Sequence, residues 1–197
     1  MRLFILTSSW LGVRPSSLQR SFHHDNVGPM GSLSAELRAR LQDIRLLCLD
    51  VDGVLTDGNL YWSPGGIWSQ RFSVRDGYGI KLLQDAGVEV AILSGGDVQS
   101  GRDRAQSLGI TRAHFGVVDK PAVFRDVAGA LGLTAAQAAF CGDELVDVPL
   151  LLQVGFAATV PEAVDEVRAA AHYVTARPGG NGAVRELCDL IRAHRKS

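Results

Sequence analysis

The stretch Leu46-Leu47-Cys48-Leu49-Asp50-Val51-Asp52-Gly53-Val54-Leu55-Thr56-Asp57 carries two carboxylates, two residues apart, from an apolar run onto a glycine turn. Side chains at i and i+2 of an extended chain point the same way, so Asp50 and Asp52 are expected to converge on one ligand where the strand ends. Two anions held that close repel unless a cation sits with them, and the spacing outlines a site for a metal ion and a phosphate. A bare Asp-x-Asp is also what a solvated turn looks like, because Asp and Gly are common in loops. The full Asp-x-Asp-Gly-x-x-Thr-Asp string behind a hydrophobic strand is far more specific.

The elements that must position these groups can be read from Ile44 onward, where short apolar runs alternate with amphipathic stretches, the pattern of parallel strands joined by crossover helices. Strands are expected at Leu46 to Leu49, Val88 to Leu93, Arg112 to Phe115, Ala138 to Cys141, Gly155 to Thr159 and Tyr173 to Thr175. Helices are expected over Gly77 to Ala86, Asp97 to Leu108, Pro121 to Leu131, Val146 to Gln153, Ala163 to Ala171 and from the Gly179-Gly180-Asn181-Gly182 loop to about His194. Asn59 to Trp62 and Ile67 to Phe72, flanking Ser63-Pro64-Gly65-Gly66, read as a β-hairpin whose aromatics need cover. Doubly wound sheets bind ligands at the carboxyl ends of their strands. Asp50 and Asp52, Ser94-Gly95-Gly96, Lys120 and Gly142-Asp143-Glu144 all fall on that rim.

Of the 197 residues, 46% are hydrophobic and 21% charged, enough for one well-buried domain. A formal net charge of -1 supplies no general field for nucleic acid or an acidic membrane, so an anionic ligand must be held by local groups. Cys48, Cys141 and Cys188 are odd in number, far apart and without Cys-x-x-Cys spacing, which speaks against disulfides and zinc and for a reducing cytoplasm. No apolar stretch approaches the roughly 20 residues that span a bilayer. Residues 1–40 are set apart as an N-terminal extension. Met1 to His24 has arginines and serines but no acid, and Met30 could serve as a start, so a disordered or non-native extension is favoured over an organelle transit peptide. Residues 41–197 form the expected domain.

These motifs resemble those of the haloacid dehalogenase superfamily of phosphotransferases, which occur here in order. Leu49 to Gly58, Val74-Arg75-Asp76-Gly77-Tyr78-Gly79-Ile80 and Gly182-Ala183-Val184-Arg185-Glu186 look like the small capless phosphatases that hydrolyse 3-deoxy-D-manno-octulosonate 8-phosphate. The resemblance covers Arg45 to about Ala193. It implies a three-layer, Rossmann-like α/β fold with a central parallel sheet, and a hairpin insertion used to assemble a homotetramer in which a neighbour's glycine loop closes the active site. It also implies a place in lipopolysaccharide biosynthesis.

A phosphomonoester is a resistant dianion, so a carboxylate attacks its phosphorus only when cations and amides neutralise the phosphoryl oxygens. Asp50 is the expected nucleophile. Asp52 is expected to protonate the departing oxygen and later take a proton from water. Mg²⁺ suits an all-oxygen site, and the resemblance assigns its ligands to Asp50, the backbone carbonyl of Asp52, and Asp143, with Glu144 and Asp147 in the outer shell. Ser94 and the Gly95 amide would hold phosphoryl oxygens and Lys120 would add positive charge. For the sugar acid, the resemblance points to Ser73, Arg75, Asp76, Gly77, Lys81 and Arg104.

Two departures stand out. Gly96 replaces the Arg usual after the second motif, which brings nine-carbon ulosonate 9-phosphates forward as alternative substrates, and Glu144 replaces the second Asp of the usual Gly-Asp-Asp. A non-catalytic, tetramerising phosphatase-like module is the other alternative. Retention of Asp50, Asp52, Lys120 and Asp143 argues against it, because a scaffold has no need for mutually repelling carboxylates.

Overall fold

The computed structural model describes residues 33–196; residues 1–32 of the expected 1–40 extension lie outside this range. Six parallel strands, β1 (Leu46–Leu49), β4 (Glu89–Leu93), β5 (Arg112–His114), β6 (Ala138–Cys141), β7 (Phe156–Thr159) and β8 (Tyr173–Val174), form one sheet in the order β5-β4-β1-β6-β7-β8. β2 (Tyr61–Trp62) and β3 (Trp68–Ser69) form the separate antiparallel hairpin. The α/β architecture expected from the alternation is thus present.

β1 is buried along its whole length between β4 and β6, and only an unbroken apolar run can satisfy both faces. Leu47 and Leu49 join the core on one face, with α2 (Val74–Asp85) and α7 (Ala183–His194), whereas Leu46 and Cys48 face α4 (Lys120–Ala130) and α5 (Val148–Leu151). From β1 the chain winds toward β4 and β5, while from β6 it winds toward β7 and β8. The loops after β1 and β6 therefore part company, which opens a crevice at the carboxyl ends of these two strands. Asp50 and Asp143 follow them.

α3 (Gln99–Ser107) and α6 (Asp165–Ala170) complete the crossovers within a residue or two of expectation. The helix expected over Val146 to Gln153 is instead a 3₁₀ turn, Leu145–Asp147, followed by the four-residue α5. An earlier helix, α1 (Ala35–Leu41), went unread in the sequence. Ser34 caps it by accepting from the Leu37 amide at 3.2 Å, and Leu33, Leu37 and Leu41 are buried in the core that includes α7. The fold therefore begins before residue 41, and the boundary placed at residue 40 cuts through α1. Among the described residues, no helix is long and apolar enough to cross a membrane.

Candidate active site

Asp50 continues the side of β1 that carries Leu46 and Cys48. Its amide donates to the Cys141 carbonyl at 3.0 Å, extending the ladder one residue beyond the strands. Its Oδ1 accepts from the Val51 amide at 2.7 Å, and its Oδ2 lies 2.9 Å from Lys120 Nζ. Lys120 opens α4, is 2% exposed, and reaches Asp147 Oδ1 at 2.5 Å with the same ammonium. Burial works to lower the Lys120 pKa, but the charges of Asp50 and Asp147 outweigh it and hold the pKa above its ordinary value.

Asp147 organises the far side of the crevice. Its Oδ2 accepts the amides of Asp143 and Glu144 at 3.0 and 3.1 Å, fixing the loop after β6. Gly142 makes this possible, since a Cβ there would stand 2.4 Å from Asp147 Cγ. Asp143 turns toward the loop after β1, where a Cβ on Gly53 would meet its Oδ2 at 2.0 Å. Gly53 also has φ +79°, a conformation that suits glycine alone at little cost.

Asp50, Asp143 and Asp147 each present a carboxylate oxygen within 4.8 Å of the others. Lys120 is the cation bonded into this group, and Asp143 Oδ1 is buried with no hydrogen-bond partner. Burial, ahead of the opposing pull of Lys120, pushes Asp50 up to about 6. Burial followed by the charges of Asp50 and Asp147 pushes Asp143 up to about 7. Three carboxylates facing one ammonium, with an orphaned buried oxygen between them, are a donor set that fits a divalent, oxygen-seeking ion. Asp147, expected in the outer shell, lies in this cluster with Oδ1 bonded to Lys120 and Oδ2 to the loop amides.

Asp52 lies outside the carboxylate cluster and is held by a different neighbour. β1 ends at Leu49, and the chain then tightens so that the Val51 carbonyl accepts the amides of Val54, Leu55 and Thr56 at 3.0 to 3.3 Å. The i, i+2 rule of an extended strand no longer applies. Asp52 Oδ1 instead accepts from Gln70 Nε2 at 2.6 Å, and its Oδ2 lies over Gly96. Thr56, given no role in the expected site, pins the loop by donating to the Val51 carbonyl and accepting from the Gly53 and Gly58 amides.

Across the crevice, buried Ser94 donates to the Gly96 carbonyl at 3.2 Å, and Gly95 is exposed on the rim. The strand ends thus bring together a carboxylate with its lysine, a hydroxyl, a glycine turn and a carboxylate cluster.

The haloacid dehalogenase-like hydrolase model matches residues 116–187. The 3-deoxy-D-manno-octulosonate 8-phosphate phosphatase of Escherichia coli strain B is 42% identical over 161 residues, covering 82% of this chain and 86% of that relative. The chain belongs to the 3-deoxy-D-manno-octulosonate 8-phosphate phosphatase family. A solved family structure from Yersinia pestis superposes with a TM-score of 0.80 at 41% identity, covering 82% of this chain and 88% of that one. The Moraxella catarrhalis enzyme, solved with magnesium, phosphate and KDO, gives 0.79 at 34% identity, covering 81% and 92%.

Within this phosphatase fold the expected sugar-acid patch divides. Arg75 is exposed. Arg104 donates to the Ser73 carbonyl at 2.9 Å and lies against Gly77, where a Cβ would meet its Nη2 at 2.1 Å. Asp76 is 1% exposed and accepts the amides of Gly182 and Arg185 at 3.1 and 2.7 Å, so it caps α7 from within the core. Lys81 is not brought to the rim. It lines a cleft with Glu89, Gly109 and Arg112, at the amino ends of β4 and β5.

Within the chain, the loop of residues 179–182 packs against the loop after β1. The Gly180 amide donates to the Val54 carbonyl at 3.0 Å, and a Cβ on Gly179 would stand 1.8 Å from the Gly53 carbonyl oxygen. All three cysteines are buried, and burial pushes their thiols up, Cys48 to about 12. They behave as small apolar groups.

Proposed function

We propose that this protein is a Mg²⁺-dependent phosphatase that converts 3-deoxy-D-manno-octulosonate 8-phosphate to the free sugar acid and phosphate, in lipopolysaccharide biosynthesis, through an aspartyl-phosphate on Asp50. The observation that carries it is Asp50 at the crevice, bonded to a buried lysine and beside the unsatisfied Asp143 oxygen. The Val51 amide and Lys120 fix the Asp50 carboxylate, so its orientation is set before substrate arrives.

In the first half-reaction an Asp50 oxygen bonds to phosphorus as the ester P–O bond breaks, and the proton of the Asp52 carboxyl passes to the departing sugar oxygen. In the second, water bonds to phosphorus, gives its proton to the Asp52 carboxylate, and the P–O bond to Asp50 breaks to release phosphate. Ser94 and the Gly95 amide receive phosphoryl oxygens, and Lys120 keeps compensating charge at the nucleophile. Asp50, Asp143 and the Asp52 carbonyl would hold Mg²⁺, with Asp147 and Glu144 around them. The ion would neutralise phosphoryl charge. Ser73, Arg75, Asp76, Gly77 and Arg104 would shape the sugar-acid side, Asp76 and Arg104 by bracing the start of α2.

Gly96 favours a second reading, nine-carbon ulosonate 9-phosphates, because the guanidinium usual at that place is missing. Phosphate release from eight- and nine-carbon ulosonate phosphates, with and without Mg²⁺, separates the two. Equal turnover of unrelated phosphomonoesters would make the enzyme a generalist.

A cytoplasmic homotetramer completes the reading. On the hairpin, Trp62 and Trp68 stack edge to face at 4.7 Å yet are 60% and 52% exposed, and Ile67 is 66% exposed. Such an apolar ribbon is suited to burial between subunits. Light scattering giving a monomer at micromolar concentration would defeat the assembly.

A further inference from the structure

We infer that Gln70 is the positioning residue for the acid-base carboxylate of Asp52, and that Ser100 in turn holds Gln70. The inference rests on the reading of Asp52 as proton donor. Gln70 follows β3 at the exit of the hairpin, and its Nε2 donates to Asp52 Oδ1 at 2.6 Å. Ser100, in the first turn of α3, donates through Oγ to Gln70 Oε1 at 2.8 Å. An ionised Asp52 can only accept, so Nε2 faces it and Oε1 is left to the Ser100 hydroxyl. All three residues are partly buried, where a hydrogen bond is stronger than in open water.

Gly96 supports the same arrangement from the opposite side. A Cβ at residue 96 would stand 2.6 Å from Asp52 Oδ2, so any side chain there would require Asp52 to shift. With glycine, Oδ2 keeps its place and Oδ1 stays on the amide. The bond occupies Oδ1 as an acceptor, which leaves Oδ2, beside Gly96, as the oxygen to meet the leaving group. Among the described residues, Asp52 makes no hydrogen bond or ion pair to Lys120 or to the carboxylate cluster, and Gln70 is the side chain bonded to it. The hairpin and α3 thus both fix the group that must meet the departing oxygen.

The test compares kcat/KM on an alkyl phosphate, the eight-carbon ulosonate phosphate, with kcat/KM on 4-nitrophenyl phosphate, whose leaving group departs without a proton. Because kcat/KM covers steps through release of the first product, it isolates protonation of the leaving group from hydrolysis of the phosphoenzyme. Gln70→Leu is expected to lower the alkyl value about tenfold and the aryl value less than about twofold, the scale of one hydrogen bond. Ser100→Ala, which leaves the hairpin intact, is expected to move both values in the same pattern by a smaller factor. Gln70→Lys, which returns a donor of similar reach, is expected to recover most of the alkyl value.

An equal loss on both substrates would make Gln70 a structural residue only, and unchanged values on both would remove it from any role; either overturns the inference. Asp52→Asn separates the two layers. If that variant shows the selective alkyl loss and Gln70→Leu does not, the inference alone fails. If Asp52→Asn turns over the alkyl phosphate normally, the reading of Asp52 fails first.

Discussion

Mg²⁺ binding to this crevice is expected to release protons, because two of the carboxylates that face the ion hold theirs at unusually high pH. Burial sets Asp50 at about 6 and Asp143 at about 7, against 3.8 for the ordinary side chain. At about pH 8 both are ionised and the ion meets no competing proton. Each pH unit below a group's pKa lowers the apparent affinity tenfold for that group. Moving to about pH 5 therefore costs about one decade at Asp50 and about two at Asp143, about 10³-fold together, or about 4 kcal/mol at 1.36 kcal/mol per pH unit. Isothermal titration calorimetry measures this directly, and repeating it in buffers of different ionisation enthalpy counts the protons. We expect about one to two released at about pH 6 and close to none at about pH 8. A Mg²⁺ Kd that changes less than about tenfold across this range, with no proton release, would refute the reasoning.

The same shifts fix the sign for folding. Both pKa values are raised in the folded state, so the metal-free protein has their full contribution below 3.8 and loses it as pH rises through about 6 and about 7. Added Mg²⁺ should then raise Tm more at about pH 8 than at about pH 5.

Asp50→Asn is expected to abolish phosphate release while substrate binding, followed by calorimetry, persists. Lys120→Met removes the ammonium from between two buried carboxylates and is expected to destabilise the protein by about 3–5 kcal/mol in denaturant unfolding, with activity lost. Gly53→Ala places a methyl against Asp143 and strains a positive φ, so Mg²⁺ affinity should fall at least tenfold by calorimetry. Asp76→Ala strips the cap from α7 and should cost about 1–3 kcal/mol of stability, measured by urea unfolding, since one buried and one partly buried amide lose their acceptor.

Much of the fold was legible because local pattern and burial agree. Leu46 to Leu49 and Ala138 to Cys141 are unbroken apolar runs, and a central parallel strand needs nothing else. α1 was readable too, from the Ser34 cap and leucines at 33, 37 and 41, but its proximity to an acid-free leader drew it into the extension. The helix after β6 was misread because its apolar residues fit a helical period, whereas the Asp147 carboxylate bonds back to the Asp143 and Glu144 amides and tightens the first turn.

The site divides in the same way. Residue types and order placed Asp50, Ser94, Lys120 and Asp143 on one rim, since each follows a strand or opens a helix there. Partners were not legible. The Lys120 bond to Asp147, the Gln70 tether on Asp52 and the capping role of Asp76 all depend on side chains brought together across 18 to 109 residues of sequence. Lys81 looked like a substrate group from the string beside it, yet helix α2 carries it away from the rim toward the amino ends of the strands.

The measurement that bears most directly on the nucleophile is chemical trapping during turnover. Sodium borohydride reduces an acyl phosphate to an alcohol, so quenching the Mg²⁺-loaded enzyme with it while substrate is being hydrolysed, followed by peptide mass spectrometry, should find homoserine at residue 50. Aspartate intact at residue 50, with phosphate released at the normal rate and the reduced product found at another carboxylate or nowhere, would contradict the covalent role of Asp50.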